Sequence, residues 1–250
     1  MKVSVQRYKN LTALSSSAAM LVRGAAESAV KERGLFTLVL AGGKTPRLLY
    51  GLLAAPPCSE SMPWPFIHLF WSDERFVPAA DPASNFQMAR EALISRVALP
   101  PANIHPVPVD AGSPHAAAAA YETSLKIFFK KTSSADAGRG LFPVFDMILL
   151  GMGSDGHTAS LFPHDAALQE QEKWVTSVSG SQARTPVPRV TLTLPVINSS
   201  RCVVFLISGG GKRDAANASI SNTNAARKIY PAALVQPEGK LHWLIDEQSI

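Results

Sequence analysis

The stretch FDMILLGMGSDGHTASLFP, Phe145 to Pro163, decides how this chain is read. It begins with an apolar run suited to a strand buried on both faces. The run breaks at Gly151, and Gly151, Gly153 and Gly156 fit G-x-G-x-x-G. After a strand, that spacing suggests a dinucleotide site with a pyrophosphate on the next helix. Such a unit needs a long helix after the third glycine. Here HTASLF meets Pro163 within two turns, and proline ends or kinks a helix. The acids that follow, Glu170 and Glu172, come before the next strand rather than at its end. Attention passes from the glycines to His157, with Asp155 two residues before it.

Outward from this stretch, strand-like and helix-like runs alternate. VSVQRY, LFTLVLAGG, FIHLFWSDE, KWVTSVS, RVTLTLPVI, CVVFLIS and LHWLIDE read as further strands. Helices are expected over LTALSSSAAMLVRGAAESAVKERG, with Gly34 at its end, and over PRLLYGLLAA, with Pro46 in its first turn. SNFQMAREALISRV is a helix with Ser84 or Asn85 as N-cap, and SPHAAAAAYETSLKIFFKK is a further helix. KRDAANASIS and NAARKIYPAAL fill the remaining gaps with helix. TSSADAGRG is expected as a surface loop, and NIHPVPVD as an extended segment outside any central ladder position. The pattern predicts an α/β fold: a mostly parallel sheet flanked by helices, as one domain over residues 1–250.

Four apolar strands end in polar, glycine-bearing or charged loops: LVLAGGKTP, LFWSDER, ILLGMGSDGH and VVFLISGGGKRD. In open α/β sheets, ligands bind beyond the carboxyl ends of the strands, so these loops can converge on one pocket. Gly43-Lys44-Thr45 matches the tail of a nucleotide-triphosphate loop, but the first glycine of that motif would fall at Leu38, inside a strand. What survives is a tight turn at Gly42 and Gly43 leading into a helix, whose N–H groups suit a single phosphate. Asp73, Glu74 and Arg75 form either a surface salt-bridge cluster or an anion clamp built on the arginine fork. Lys212, after three glycines, is either solvated or placed to meet a phosphate. His157 is either structural or a base that takes a proton from water. The other histidines, His68, His105, His115, His164 and His242, lack comparable surroundings.

Bulk properties narrow the class. A hydrophobic fraction of 46% over 250 residues supports a substantial core, and 17% charged residues argues against disorder. A formal net charge of +5 without a Lys/Arg block gives no basis for a nucleic-acid partner, though it suits a small anionic substrate. Cys58 and Cys202 form no C-x-x-C, so neither a zinc site nor a disulfide framework is signalled. Neither a signal peptide nor a membrane-length apolar run is visible, and a cytoplasmic protein is expected. G-x-S-x-G is absent, and no second histidine stands at ligand spacing from His157.

The four loops together resemble the 6-phosphogluconolactonase family. AGGKTP resembles its first glycine loop, SDERFVPAADPASNFQMAR its D-E-R…S-N segment, and GMGSDGHTASLFP its most specific motif. RVTLTLPVIN, SGGGKRDA and YPAALVQPEGKLHWLID follow in the family's order. The resemblance implies three layers, as in the glucosamine-6-phosphate deaminase and ribose-5-phosphate isomerase fold. It also implies a phosphorylated lactone as substrate, with no metal or cofactor. By resemblance, His157 is the general base and Asp155 orients it or meets a sugar hydroxyl. Arg75 and Lys212 take the phosphate, with Gly42, Gly43 and Thr45 at the same end. Asp73 belongs to the substrate site, Arg189 holds Asp155 or the substrate, and Asn85 caps a helix and no more. Ala41 and Lys44 depart from the serines frequent in the first loop, which leaves open whether Lys44 faces ligand or solvent. The deaminase relatives read G-H-I-A-F-N-E-P, and aligning on His157 puts Phe162 where they have a glutamate. Phenylalanine cannot carry a proton, which favours lactone hydrolysis over isomerisation or deamination. A non-catalytic sugar-phosphate sensor on this fold is the other alternative.

Overall fold

The computed structural model describes residues 2–132, 141–181, 183 and 186–248. Most of the expected TSSADAGRG loop lies outside the described residues. Among those described, six strands form one parallel sheet: β1 (Lys2–Tyr8), β2 (Phe36–Leu40), β3 (Ile67–Trp71), β5 (Met147–Leu150), β8 (Cys202–Ile207) and β9 (Lys240–Asp246). Their order is β1-β9-β8-β5-β2-β3. The four strands with reactive loops, β8, β5, β2 and β3, are therefore consecutive neighbours, and parallel pairing puts all four loops at one end. β2, β5 and β8 are buried at every position, which explains their unbroken apolar runs.

Helices cover the sheet. α1 (Leu11–Arg33) starts at Asn10, whose side chain accepts from Ala13 N, and ends at Gly34 in the left-handed region. It packs on α2 (Lys44–Leu53), and the pair contacts β2, β8 and β9. A short α3 (Cys58–Ser61) follows, then α4 (Asn85–Ala92) and α5 (Pro114–Thr132). Two buried tyrosines fix the strand ends that lead into the site. Tyr50 of α2 accepts from Ala41 N at 2.9 Å and donates to Ala41 O at 2.8 Å. Tyr121 of α5 accepts from Trp71 N at 2.9 Å and donates to Trp71 O at 3.2 Å. Each hydroxyl satisfies backbone groups where the ladder runs out.

Two expectations need correction. FIHLFWSDE is not one strand. β3 stops at Trp71, and Asp73–Arg75 forms β4 in a second, antiparallel sheet with β7 (Arg189–Leu192) and β6 (Val175–Val178). RVTLTLPVI is likewise divided, because Pro195 suits a first helical turn and Leu194–Asn198 forms α6. α7 (Arg213–Ser221) and α8 (Asn224–Ile229) complete the helices. No helix among the described residues is long and apolar enough to cross a membrane.

Candidate active site

A cleft of about 620 Å³ opens where the four loops meet. Its lining includes Gly42, Gly43, Lys44, Thr45, Asp73, Arg75, Asp155, His157, Arg189 and Lys212, so all ten residues singled out from the sequence face one cavity. The lining also draws on Ser72, Asn85, Met152, Ser154 and Ala159.

His157 sits in a loop that no helix continues; residues 151–165 are turns and bridges. Asp155 Oδ1 lies 2.6 Å from His157 Nδ1 and also accepts from His157 N at 3.2 Å. Burial pushes the Asp155 carboxyl up, but the hydrogen bond and charge of His157 outweigh it and hold the carboxyl below its ordinary value. An ionised carboxylate only accepts, so Nδ1 carries a proton, and in the neutral form of the ring Nε2 is the nitrogen that keeps its lone pair. The glycines serve this pair. A Cβ on Gly153 would lie 2.2 Å from His157 Nδ1 and 2.4 Å from Asp155 Oδ1. Gly156 has φ +79°, and Tyr230 packs where its Cβ would point. The G-x-G-x-x-G spacing thus makes room for an Asp–His pair.

The D-E-R triplet separates by strand alternation, with residues i and i+2 on one face. Asp73 and Arg75 face the cleft. Glu74, 2% exposed, points the other way and accepts from Arg75 N, Asn85 N and Phe86 N, each at 2.7 Å, and from Ser84 Oγ at 3.0 Å. It holds the start of α4, so the surface salt-bridge alternative fails for this residue. Arg75 donates through Nη1 to Ala83 O at 2.6 Å.

Arg189 is the cross-strand partner of Arg75. Like charges directly opposite destabilise a sheet. The structure places Arg189 beside Asp73, Nη1 to Oδ2 3.9 Å, and over the Phe162 ring at 5.7 Å. Arg189 thus sits against Asp73 while also lining the cleft, and Asp155 is hydrogen-bonded to His157. Lys212 is half-buried at the start of α7, and burial lowers its pKa. It has no carboxylate partner among the described residues. Lys44 is exposed in the first turn of α2 at the cleft rim.

Asn85 was underestimated from sequence. Ser84 is the N-cap of α4, accepting from Gln87 N. Asn85 instead donates through Nδ2 to Asp73 O at 2.8 Å, and a Cβ on Gly42 would lie 2.0 Å from its Oδ1. It therefore holds β4 through Asp73 and packs against Gly42, where only a glycine leaves it room. The capping expected of this pair falls on Ser84 and not on Asn85.

The fold and cleft define an α/β protein with an Asp–His pair and cationic side chains gathered at the carboxyl ends of its parallel strands. The profile described as glucosamine-6-phosphate isomerases/6-phosphogluconolactonase matches residues 9–243, and the chain belongs to this family. It is 45% identical over 221 residues to a 6-phosphogluconolactonase of Synechocystis sp., covering 88% of this chain and 86% of that protein. With a 6-phosphogluconolactonase of Nostoc sp. it shares 41% identity over 246 residues, 98% and 96% of the two chains. The crystal structure of 6-phosphogluconolactonase from Thermotoga maritima superposes with a TM-score of 0.81 at 32% identity, covering 98% of this chain and 99% of that one. A monomeric glucosamine-6-phosphate deaminase shares the fold, with a TM-score of 0.78 at 21% identity over 99% and 98% of the chains.

Proposed function

We propose that this protein hydrolyses 6-phospho-D-glucono-1,5-lactone to 6-phospho-D-gluconate, the second step of the oxidative pentose phosphate route. One observation carries the assignment of roles: the Asp155–His157 pair and Lys212, which has no carboxylate partner among the described residues, line the same cleft. His157 Nε2 takes a proton from water as the water attacks C1, and Asp155 steadies the imidazolium that forms. Negative charge then grows on the former carbonyl oxygen. Donors must face it, and the N–H groups of Gly153 and Gly156 are already spent on His157 O and Gly153 O. The oxyanion donors therefore come from the remaining N–H groups of the glycine loops. Collapse breaks the C1–O5 bond, and the imidazolium returns its proton to the leaving oxygen. Arg75 and Lys212 hold the phosphate, with Gly42, Gly43, Lys44 and Thr45 at that end, while Asp73 accepts from a sugar hydroxyl and Arg189 supports Asp73. A strained acyl group needs little more than a positioned base, about 10²- to 10⁴-fold, and orientation.

Phe162 favours hydrolysis over deamination. Its ring, 1% exposed, lies 4.7 Å from the His157 ring, so an apolar group contacts the base. The chain is proposed to work as one unit over residues 1–250, in the cytoplasm. In support, the core runs from Leu14 to Ile245 without division. The test is hydrolysis of freshly made lactone, corrected for its spontaneous rate. Turnover supports the assignment. Ammonia release from glucosamine-6-phosphate would favour the deaminase, and binding of phosphogluconate without turnover would favour a sensor.

A further inference from the structure

We infer that Ser160 is a positioning residue for Asp73, and that its hydroxyl sets which carboxylate oxygen is offered to the substrate. The inference rests on Asp73 facing the substrate, as proposed above. Ser160 is fully buried, three residues after His157, and does not line the cleft. The turn that aims it inward is unusual: Ala159 has φ +49°, a region that non-glycine residues seldom occupy. Ser160 then grips both members of one cross-strand pair. Its Oγ donates to Asp73 Oδ2 at 2.6 Å, and its N–H donates to Thr191 Oγ1 at 3.3 Å. Asp73 and Thr191 are register partners in β4 and β7.

The bond to Ser160 is much the shortest contact of the Asp73 carboxylate. Ser72 Oγ and Asn85 Nδ2 each lie 3.4 Å from Oδ1, and Arg189 Nη1 lies 3.9 Å from Oδ2. A bond this short to a charged acceptor is among the stronger hydrogen bonds. It commits Oδ2 and leaves Oδ1, held only by long contacts, as the acceptor for a ligand hydroxyl. Without the Ser160 hydroxyl, the carboxylate loses its one short bond and is free to rotate, so neither oxygen is held toward the ligand. The same bond ties the His157 loop to β4, so the base and the hydroxyl acceptor keep a fixed separation.

The test is a double-mutant cycle with Ser160→Ala, Asp73→Ala and the pair, reading kcat/KM for the lactone and Kd for 6-phosphogluconate. Ser160→Cys, which keeps a side chain of the same connectivity but carries a bulkier and weaker donor, is run in parallel, with circular dichroism and melting to check folding. Each Ser160 variant is expected to lower kcat/KM and weaken binding about 10-fold in the wild-type background. In the Asp73→Ala background each should change them by less than about 2-fold, because the group it acts through is gone. A full loss that persists without Asp73 would mean that Ser160 acts by packing, and would overturn the inference. So would wild-type activity in both Ser160 variants. If Asp73→Ala alone keeps wild-type kcat/KM, the placement of Asp73 in the substrate site is wrong, and Ser160 has nothing to position.

Discussion

Asp155 Oδ1 meets His157 twice, at the ring Nδ1 and at the backbone nitrogen, and Gly153 is the residue that leaves room for both. The loop therefore fixes the tautomer as well as the position of the imidazole. Gly153→Ala should displace the pair with little effect on the core, since the clash is with two side-chain ends. A fall in kcat of about 10-fold or more, at a melting temperature close to wild type, is expected from loss of a positioned base. Unchanged kcat would separate the glycine from the pair.

The end of the cleft proposed to take the phosphate should give a different kinetic signature. Arg75→Ala and Lys212→Met should each raise KM about 10- to 100-fold, in line with loss of a hydrogen bond to a charged group, with a smaller change in kcat. Because burial holds the Lys212 ammonium below the ordinary lysine value, affinity for 6-phosphogluconate should begin to fall at a lower pH than an exposed lysine would give. Titration calorimetry across alkaline pH checks this. An affinity independent of Lys212 would dismiss its role.

Glu74 is expected to matter for stability and not for chemistry. Glu74→Gln leaves some of the donors at the start of α4 facing an amide nitrogen. The cost should be about 1–3 kcal/mol, with roughly 2–4 °C of melting temperature lost per 1 kcal/mol at this size. kcat of the folded variant should remain near wild type, and thermal melts with kinetics distinguish the two effects.

Acid stability should depend on a second histidine pair. His68 Nδ1 and His105 Nε2 lie 3.1 Å apart, packed among Phe70 and Phe128. Burial pushes His105 down to about 4, with the His68 charge adding, and burial also lowers His68. The unfolded chain binds protons near pH 6.5, before the folded one does, so stability is present above that pH. It is lost as pH falls toward about 4. His105→Phe should flatten the melting-temperature profile between these limits. An unaltered slope in the variant would exclude the pair as its source.

Much of this arrangement was legible in the sequence because its signals are local. Apolar runs ending in glycine or charge marked β2, β5 and β8 and their loops, and Pro163 excluded the dinucleotide helix. The boundary at Ser72 was not legible, since LFWSDER stays apolar then polar whether or not the chain changes sheets. The pairing of Arg189 with Asp73 depends on the β4–β7 register, which no spacing encodes. Strand alternation could have separated Glu74 from Asp73 and Arg75 once β4 was recognised. Ser160 carried no signal at all, because its partner lies 87 residues away in sequence.

The most direct test of the account is single-turnover hydrolysis by His157→Ala beside its affinity for 6-phosphogluconate. The predicted result is a fall in the chemical step of about 10²- to 10⁴-fold with Kd within about 3-fold of wild type. A variant that hydrolyses the lactone at the wild-type rate would remove the imidazole from the mechanism and contradict the account.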